Sequence, residues 1–154
     1  MSFHSNVEKQ NTHTVYLGLG TNLGDKEACL KEAVEEIKKR VGEVTSLSAF
    51  YATEPWGFES EHSFLNAVCR VSTTFSPLEV LHITQEIERS LGRIKKSINR
   101  QYSDRPIDID ILLYDDLHMD SPELTIPHPL MWERDFVLVP LKEIAPEIAI
   151  PTNA

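Results

Sequence analysis

The hydrophobic and polar positions of this chain follow two periods that alternate in a regular order. Segments with an apolar run, or with apolar residues at every second position, indicate β-strands. Segments with apolar residues three and four positions apart indicate amphipathic helices. Together these segments predict the order β-α-β-β-α-β. The strands are expected at Thr14–Gly20, Val44–Tyr51, Phe64–Phe75 and Arg105–Leu112, and the helices at about 25–41 and 76–92.

Local signals mark the ends of both predicted helices. The apolar stripe of the first helix consists of Leu30, Val34, Ile37 and Val41. Gly42 follows this stripe and predicts the end of the helix. The second helix begins at SPLE, residues 76–79, a capping box with proline at the first helical position. Gly92 predicts the end of this second helix.

The element order predicts an α+β fold. Two βαβ halves in this order are typical of a ferredoxin-like β-α-β-β-α-β sandwich. Residues 115–154 are expected to add a C-terminal hairpin and one or two short helices. A chain of 154 residues fits one domain with its own hydrophobic core. We therefore expect a flexible N-terminal tail at 1–13 and a single domain at 14–154.

Composition and charge favour an ordinary soluble globular protein. The chain is 41% hydrophobic and 25% charged, with a net charge of −9. This acidic balance argues against binding of nucleic acid or of an anionic membrane, and no run of about 18 apolar residues occurs. Cys29 and Cys69 form no redox or zinc-site spacing. We expect a reduced, cytoplasmic chain that acts as a monomer.

Two connections, 52–62 and 93–105, are longer than the about 4–6 residues that typically join elements in compact domains. Connections of this length are often binding loops or lids. The second connection, with the helix end before it, carries six basic residues and one acid, Asp104. The basic residues are Arg89, Arg93, Lys95, Lys96, Arg100 and Arg105. On charge alone, this segment is either a solvated loop or a clamp for a polyphosphate.

The last predicted strand places two carboxylates on one face. Asp108 and Asp110 alternate with isoleucines, and residues two apart on a strand share a face at roughly 6.5 Å. Such a pair can bind Mg²⁺ together with water and substrate phosphates. The alternative is an amphipathic strand whose outer face happens to be acidic. The adjacent basic segment favours the metal, because carboxylates and cations together would form one nucleotide site.

Other motifs leave more than one reading open. GLGTNLGD at 18–25 lacks the spacing of a phosphate-binding loop, and a tight strand-to-helix turn is predicted there. Gln85 and Glu88 share a helix face that could simply be solvated. Phe64 and Asn66 share a strand face, which suits a planar heteroaromatic ligand. The alternative is a core phenylalanine beside an exposed asparagine.

From residue 15 to 151, the sequence resembles the 6-hydroxymethyl-7,8-dihydropterin pyrophosphokinase family of folate biosynthesis. The resemblance lies in GLGTNLGD, FYATEPWG, FLNA, TQEIERSLGR, DRPIDIDILLYDD, LTIPHP and MWERDFVLVPLKEIAP, in the family's order. It implies a ferredoxin-like enzyme that transfers diphosphate from ATP to the hydroxymethyl group of the pterin and releases AMP. It also implies two Mg²⁺ ions bound with ATP.

The resemblance assigns roles to individual positions. Asp108 and Asp110 match the ligands of the two Mg²⁺ ions, and Arg93 and Arg105 match the lid arginines tied to catalysis. The positions that match the pterin site are Thr53, the backbone at Trp56, Asn66, and the sandwiching aromatics Phe64 and Phe136. The positions that match the ATP site are Gln85, Glu88, Lys96, Ile111, His128 and Arg134.

The implied mechanism needs positioning and charge stabilisation more than a general base, and the sequence offers no convincing base. Closure of the lid at 93–105 over the polyphosphate would exclude water. This lid departs from the family's usual pattern, because Tyr102–Arg105 keeps only the arginine of a Trp-Gly-Pro-Arg run.

Two functions from other classes remain as alternatives. A Mg²⁺-dependent phosphohydrolase could use the same two aspartates, but the set of Phe64, Asn66 and Phe136 argues against it. A non-catalytic ferredoxin-like binding module, for example one that binds RNA, is opposed by the net charge of −9.

Overall fold

A computed structural model of the chain describes residues 11–22, 24–53, 64–99 and 107–148, with side chains up to 92 in the third range. Its strands are β1 (His13–Thr21), β2 (Glu43–Leu47), β3 (Tyr51–Thr53), β4 (Phe64–Thr73), β5 (Asp108–Tyr114), β6 (Met119–Asp120) and β7 (Thr125–Ile126). Its helices are α1 (Lys26–Arg40), α2 (Pro77–Asn99), one 3-10 turn (Met131–Glu133) and α3 (Asp135–Ile144).

A five-stranded antiparallel sheet organises the fold. Its order is β2-β4-β1-β5, and β3 pairs with β4 beyond the end of β2. The two βαβ halves therefore place β1 and β4 at the centre, as in a ferredoxin-like sandwich. The predicted α+β class and element order are confirmed, with β3 as an additional short strand.

Alternate strand positions separate the two faces of the sheet. The face that packs with α1 and α2 includes Val15, Leu17, Cys69, Ile109 and Ile111. The opposite face includes Tyr16, Val68 and Leu112, which cluster with Val137 and Leu141 of α3. Each large apolar side chain removed from water in this way contributes about 1.5–3 kcal/mol. Because α3 has only 10 residues, it covers only part of its face.

The predicted capping box and the predicted helix end at Gly42 are both present. Ser76 and Glu79 form a reciprocal capping box: the Glu79 carboxylate accepts the Ser76 N–H at 2.8 Å, and the Ser76 hydroxyl accepts the Glu79 N–H at 3.2 Å. Asp25 caps α1 by accepting a backbone N–H at 3.1 Å. Gly42 follows α1 at a point where a β-carbon would lie 2.1 Å from the Ser72 carbonyl oxygen, so only glycine fits.

Two predicted boundaries are wrong. The second helix does not end at Gly92 but continues to Asn99, because a glycine inside a helix costs only about 1 kcal/mol relative to alanine. Gly92 also lacks the positive φ of a helix-ending glycine. The predicted strand Val44–Tyr51 is interrupted at 48–50. Between the pairs on either side of this interruption, the chain has one residue more than the facing stretch of β4, which is a β-bulge.

The C-terminal part follows the prediction of a hairpin and short helices, because β6 pairs with β7 and two helical segments follow. None of the helices in the described part of the chain is both long and apolar enough to cross a membrane. The predicted tail at 1–13 lies mostly outside the described residues, and His13 is the first residue of β1.

Candidate active site

A cleft of about 330 Å³ lies on the α3 face of the sheet, where the helix leaves the strands uncovered. Strand parity explains its lining. Gly18 and Gly20 alternate with the buried residues of β1, and Asp108 and Asp110 precede Leu112 on the same face of β5. Polar and aromatic side chains from the neighbouring elements complete the lining. They are Thr53, Phe64, Asn66, His128, Arg134 and Phe136.

The two glycines of β1 form the floor of this cleft. Gly20 pairs with Asn66 on β4 and with Asp108 on β5, and a β-carbon on Gly20 would lie 2.9 Å from the Asn66 Oδ1. The predicted role of the glycines in a tight turn is therefore wrong for Gly18 and Gly20, and fits only Gly24, whose φ is 62°. Two glycines spaced two apart in an apolar strand are the signal for this close approach.

Asn66 is held in one orientation by its neighbours. It is 5% exposed, and its Nδ2 donates to the Thr53 hydroxyl at 3.2 Å and, more weakly, to the Tyr51 carbonyl at 3.5 Å. This network assigns the amide orientation. Because both N–H groups of Asn66 have partners within the protein, its Oδ1 is the atom that can accept a hydrogen bond from a ligand.

Two aromatic rings line the cleft and are left unusually exposed. Phe64 is 40% and Phe136 is 38% exposed. The Arg134 guanidinium lies 5.4 Å from the centroid of the Phe136 ring, a cation–π contact that orients the ring. Exposed rings in a cleft are typical of a site that binds a planar ligand by stacking.

The two aspartates are half-buried in the wall of the cleft, as the alternation on β5 predicts. Ile109, between them, points into the core. The Glu88 carboxylate on α2 accepts the Ile109 backbone N–H at 2.7 Å, and so fixes β5 between the two aspartates. The reading of Glu88 as a simply solvated residue is therefore wrong.

His128 adds a neutral hydrogen-bond donor to the cleft. Burial lowers its pKa below the ordinary value of 6.5; Arg134 lowers the pKa further, and Asp110 acts in the opposite direction. The His128 Nδ1 accepts the Leu130 backbone N–H at 3.2 Å. In a neutral ring with this partner, the proton lies on Nε2, which can donate to a ligand.

A second cleft of about 260 Å³ adjoins the first and shares Asp110 and His128 with it. Its other walls come from α2, β5 and the β6–β7 hairpin. They include Leu81, Ile109, Ile111 and residues 121–125. A ligand that extends past Asp110 and His128 would occupy both clefts.

The structure brings most of the predicted site residues together in the two clefts. Ile111 lines the second cleft but is only 3% exposed. Gln85 is exposed on α2 and lines neither cleft. Four predicted residues lie wholly, or with their side chains, outside the described residues. They are Trp56, Arg93, Lys96 and Arg105.

The metal-binding capacity of the cleft rests on two carboxylates. Within the described ranges, no group of three or more His, Cys, Asp or Glu side chains forms a candidate metal cage. Asp108 and Asp110 beside an open cleft instead suit an ion such as Mg²⁺, which keeps several waters and takes further oxygens from substrate phosphates.

Known proteins resemble this sequence over most of its length. Residues 16–146 match the family model of 7,8-dihydro-6-hydroxymethylpterin-pyrophosphokinase (HPPK). The 2-amino-4-hydroxy-6-hydroxymethyldihydropteridine pyrophosphokinase of Porphyromonas gingivalis is 56% identical over 133 residues, which are 86% of this chain and 90% of that protein. The protein of the same name from Bacillus subtilis is 39% identical over 134 residues, covering 86% of this chain and 78% of that protein.

Solved structures resemble the fold at much lower sequence identity. The wild-type HPPK-DHPS of Plasmodium falciparum with STZ-DHP superposes with a TM-score of 0.71 at 17% identity. The match covers 93% of this chain and 41% of that chain. At this identity, the likeness supports the fold alone.

Proposed function

This chain belongs to the 7,8-dihydro-6-hydroxymethylpterin-pyrophosphokinase family and is an ATP-dependent pyrophosphokinase of folate biosynthesis, and from that premise we propose how its cleft performs the reaction. Diphosphate passes from ATP to the hydroxymethyl oxygen of 6-hydroxymethyl-7,8-dihydropterin, and AMP is released. One observation carries the proposal: an exposed aromatic pair, an oriented amide and two carboxylates converge in one cleft. The alternatives of a phosphohydrolase and a silent binding module are not favoured.

The pterin ring stacks between Phe64 and Phe136 in this proposal. Both rings line the same cleft and remain exposed without a ligand, which supports a stacked planar guest. The Asn66 Oδ1 accepts an N–H from the edge of the pterin, and the Thr53 hydroxyl, which accepts from Asn66, directs its own proton to the ligand. The backbone at Trp56 is proposed to complete the edge contacts.

Asp108 and Asp110 are proposed to hold two Mg²⁺ ions together with the ATP phosphates. Their position beside the bare backbone of Gly18 and Gly20 supports this assignment, because no side chain there blocks a polyphosphate. When bound, the ions would neutralise phosphate charge and polarise the phosphorus that is transferred. Glu88 contributes by holding the strand that carries both aspartates.

The nucleotide is proposed to extend from the first cleft into the second. The two clefts meet at Asp110 and His128, which supports a ligand with phosphates in one and the nucleoside in the other. The Nε2–H of His128 and the Arg134 guanidinium would then contact phosphate oxygens, and the Ile111 backbone would contact the nucleoside. Gln85 and Lys96, on α2, are proposed to complete the ATP site.

Catalysis is proposed to rest on positioning and charge stabilisation, without a general base. The floor of Gly18 and Gly20 brings the pterin side and the phosphate side of the cleft next to each other. Arg93 and Arg105 are proposed to close over the diphosphate, stabilise its charge in the transition state and exclude water.

We also infer that residues 14–154 form one domain and that the chain acts as a monomer in the cytoplasm. Two core clusters on opposite faces of one sheet support a single domain. Cys29 and Cys69 are buried and form no disulfide, which fits a reducing compartment. Burial also raises the pKa of Cys69 to about 12, so this thiol stays protonated. Limited proteolysis tests the domain boundary, and sedimentation equilibrium tests the monomer.

Chromatography of the nucleotide products tests the reaction itself. Three reactions are compared, and each contains the protein, Mg²⁺ and ATP. The first also contains 6-hydroxymethyl-7,8-dihydropterin, the second contains no pterin, and the third contains 6-methyl-7,8-dihydropterin. The last compound is a matched control that keeps the ring but lacks the acceptor oxygen. We expect AMP in equal amount to pterin diphosphate only with the hydroxymethyl compound. Formation of ADP, or AMP at the same rate in all three reactions, contradicts the proposal.

A further inference from the structure

Glu143, in the last turn of α3, contacts a segment of the sheet that the proposed mechanism does not use. Its Oε1 accepts the Tyr51 phenol at 2.5 Å. Its two carboxylate oxygens also lie 3.1 and 3.2 Å from the Ala49 backbone nitrogen, which donates to them. The same helix carries Phe136 in its first turn. One carboxylate therefore links the helix that carries Phe136 to Tyr51 of β3 and to Ala49, which precedes β3.

The chain between β2 and β3, which Glu143 contacts, departs from the regular sheet. Between the last pair of β2 (Leu47 with Cys69) and the first pair of β3 (Tyr51 with Asn66), this strand advances four positions while β4 advances three. The extra residue is a bulge, an irregularity that often re-aims side chains near active sites. The N–H of Ala49, within the bulge, donates to α3 and not to β4.

The placement of β3 in turn sets the orientation of the Asn66 amide. β3 has only three residues, which pair with β4, so few backbone hydrogen bonds fix its position. The Tyr51 carbonyl and the Thr53 hydroxyl are the two acceptors of the Asn66 amide. A shift of β3 would therefore move both acceptors and turn the Oδ1 away from the pterin edge.

The helix side of this link is packed against the sheet. Phe136 and Glu143 are seven residues apart in α3, so they share a face and are separated by about 10.5 Å along the axis. Val137 and Leu141, between them, are buried against the sheet. The position of the carboxylate is therefore tied to the position of the aromatic ring.

We propose that Glu143 is a positioning residue for the pterin: its carboxylate holds β3, and with it the Asn66 amide and the Thr53 hydroxyl, at a fixed distance from Phe136. The inference rests on the proposed function, because it concerns the pterin side of the same cleft. Glu143 itself does not line the cleft and touches no reacting atom. The hydrogen bond to Glu143 raises the pKa of Tyr51, so the phenol keeps the proton that it donates.

The test compares four variants of the full chain by their kcat, by their KM for each substrate and by their melting temperature. Glu143→Ala removes the link. Glu143→Gln keeps an oxygen acceptor of the same reach. Tyr51→Phe removes the phenol but keeps the Ala49 contact. Glu147→Ala, an exposed carboxylate just beyond α3, is the matched control.

We expect Glu143→Ala to raise the KM for the pterin about tenfold, the change that corresponds to ~1.4 kcal/mol, with little change in the KM for ATP. Tyr51→Phe should give a smaller rise in the same direction, Glu143→Gln should recover most of the loss, and Glu147→Ala should match the wild type. Because Glu143 is exposed, the variants should remain folded.

Several results would overturn the inference. They are an unchanged pterin KM in folded Glu143→Ala and Tyr51→Phe, an equal rise in both substrate KM values, or a Glu143→Gln variant as impaired as Glu143→Ala. The wild-type reaction separates this failure from a failure of the proposed function. If wild-type protein makes pterin diphosphate and AMP while the variants behave in one of these ways, only the role of Glu143 is wrong.

Discussion

Replacing Gly20 by alanine perturbs the pterin side of the cleft through a single methyl group. The new β-carbon would lie 2.9 Å from the Asn66 Oδ1, closer than real β-carbons approach another heavy atom, so the amide must move. Asn66 is 5% exposed and donates to Thr53 and to the Tyr51 carbonyl. The amide can therefore move only by weakening these hydrogen bonds and by displacing its Oδ1 from the ligand.

The size of the effect follows from the hydrogen bonds at stake. If the displaced Asn66 Oδ1 no longer accepts the N–H of the bound pterin, that buried N–H is left unsatisfied. An unsatisfied buried polar group costs about 1–3 kcal/mol, which corresponds to a loss of pterin affinity of roughly 5- to 150-fold. The free energy of unfolding should change less, because alanine in a strand recovers about 0.5–1 kcal/mol relative to glycine. The variant should therefore fold and still bind the pterin poorly.

The assay is a fluorescence titration of the pterin in the presence of Mg²⁺ and a non-hydrolysable ATP analogue. Glu147→Ala, at an exposed position just beyond α3 and outside the cleft lining, is the control variant. We expect this control to bind the pterin within about threefold of wild type, a difference below 1 kcal/mol. If folded Gly20→Ala binds the pterin as tightly as wild type does, Asn66 is not the residue that holds it.

Three further predictions concern the metal ligands, the packing and the pH dependence. Asp108→Asn should lower kcat at least about 100-fold without lowering the melting temperature, whereas Asp116→Asn, in an exposed turn, should leave both unchanged; a near-normal rate in Asp108→Asn would exclude it as a metal ligand. Gly42→Ala should lower the free energy of unfolding in urea by about 1–3 kcal/mol, because its β-carbon would meet the Ser72 carbonyl oxygen at 2.1 Å; unchanged stability would contradict that close approach. Burial lowers the pKa of His128 in the folded protein, so the contribution of the neutral ring to stability is present above pH 6.5 and is lost as the pH falls through the folded-state pKa. Urea unfolding above and below pH 6.5 should show that the free energy of unfolding falls less in His128→Gln than in wild type, and equal losses would contradict the lowered pKa.

Features that depend on neighbouring residues were predictable from the sequence. The capping box at Ser76 and Glu79 forms as expected because its two hydrogen bonds lie within one helical turn. The alternation of Asp108 and Asp110 with isoleucines placed the carboxylates opposite the core, because strand parity requires it. The same parity predicted that Phe64 would share a face with Asn66.

Features that depend on distant parts of the chain were not predictable. Gly92 carries the usual signal of a helix end, but α2 continues through it. Gly18 and Gly20 read as turn residues until β4 and β5 are placed beside β1, when the contact with Asn66 explains them. The contact of Glu143 with the β3 segment joins residues more than 90 positions apart, and no local pattern indicates it.

A crystal structure of the protein with Mn²⁺, a non-hydrolysable ATP analogue and 6-hydroxymethyl-7,8-dihydropterin tests the assignment of the cleft most directly. Anomalous scattering locates the Mn²⁺ ions independently of the other density. We expect the pterin ring between Phe64 and Phe136, and metal peaks about 2.0–2.6 Å from the carboxylate oxygens of Asp108 and Asp110, the range of hard cations. A pterin bound elsewhere, or metal ions that do not contact either aspartate, would contradict the proposed site.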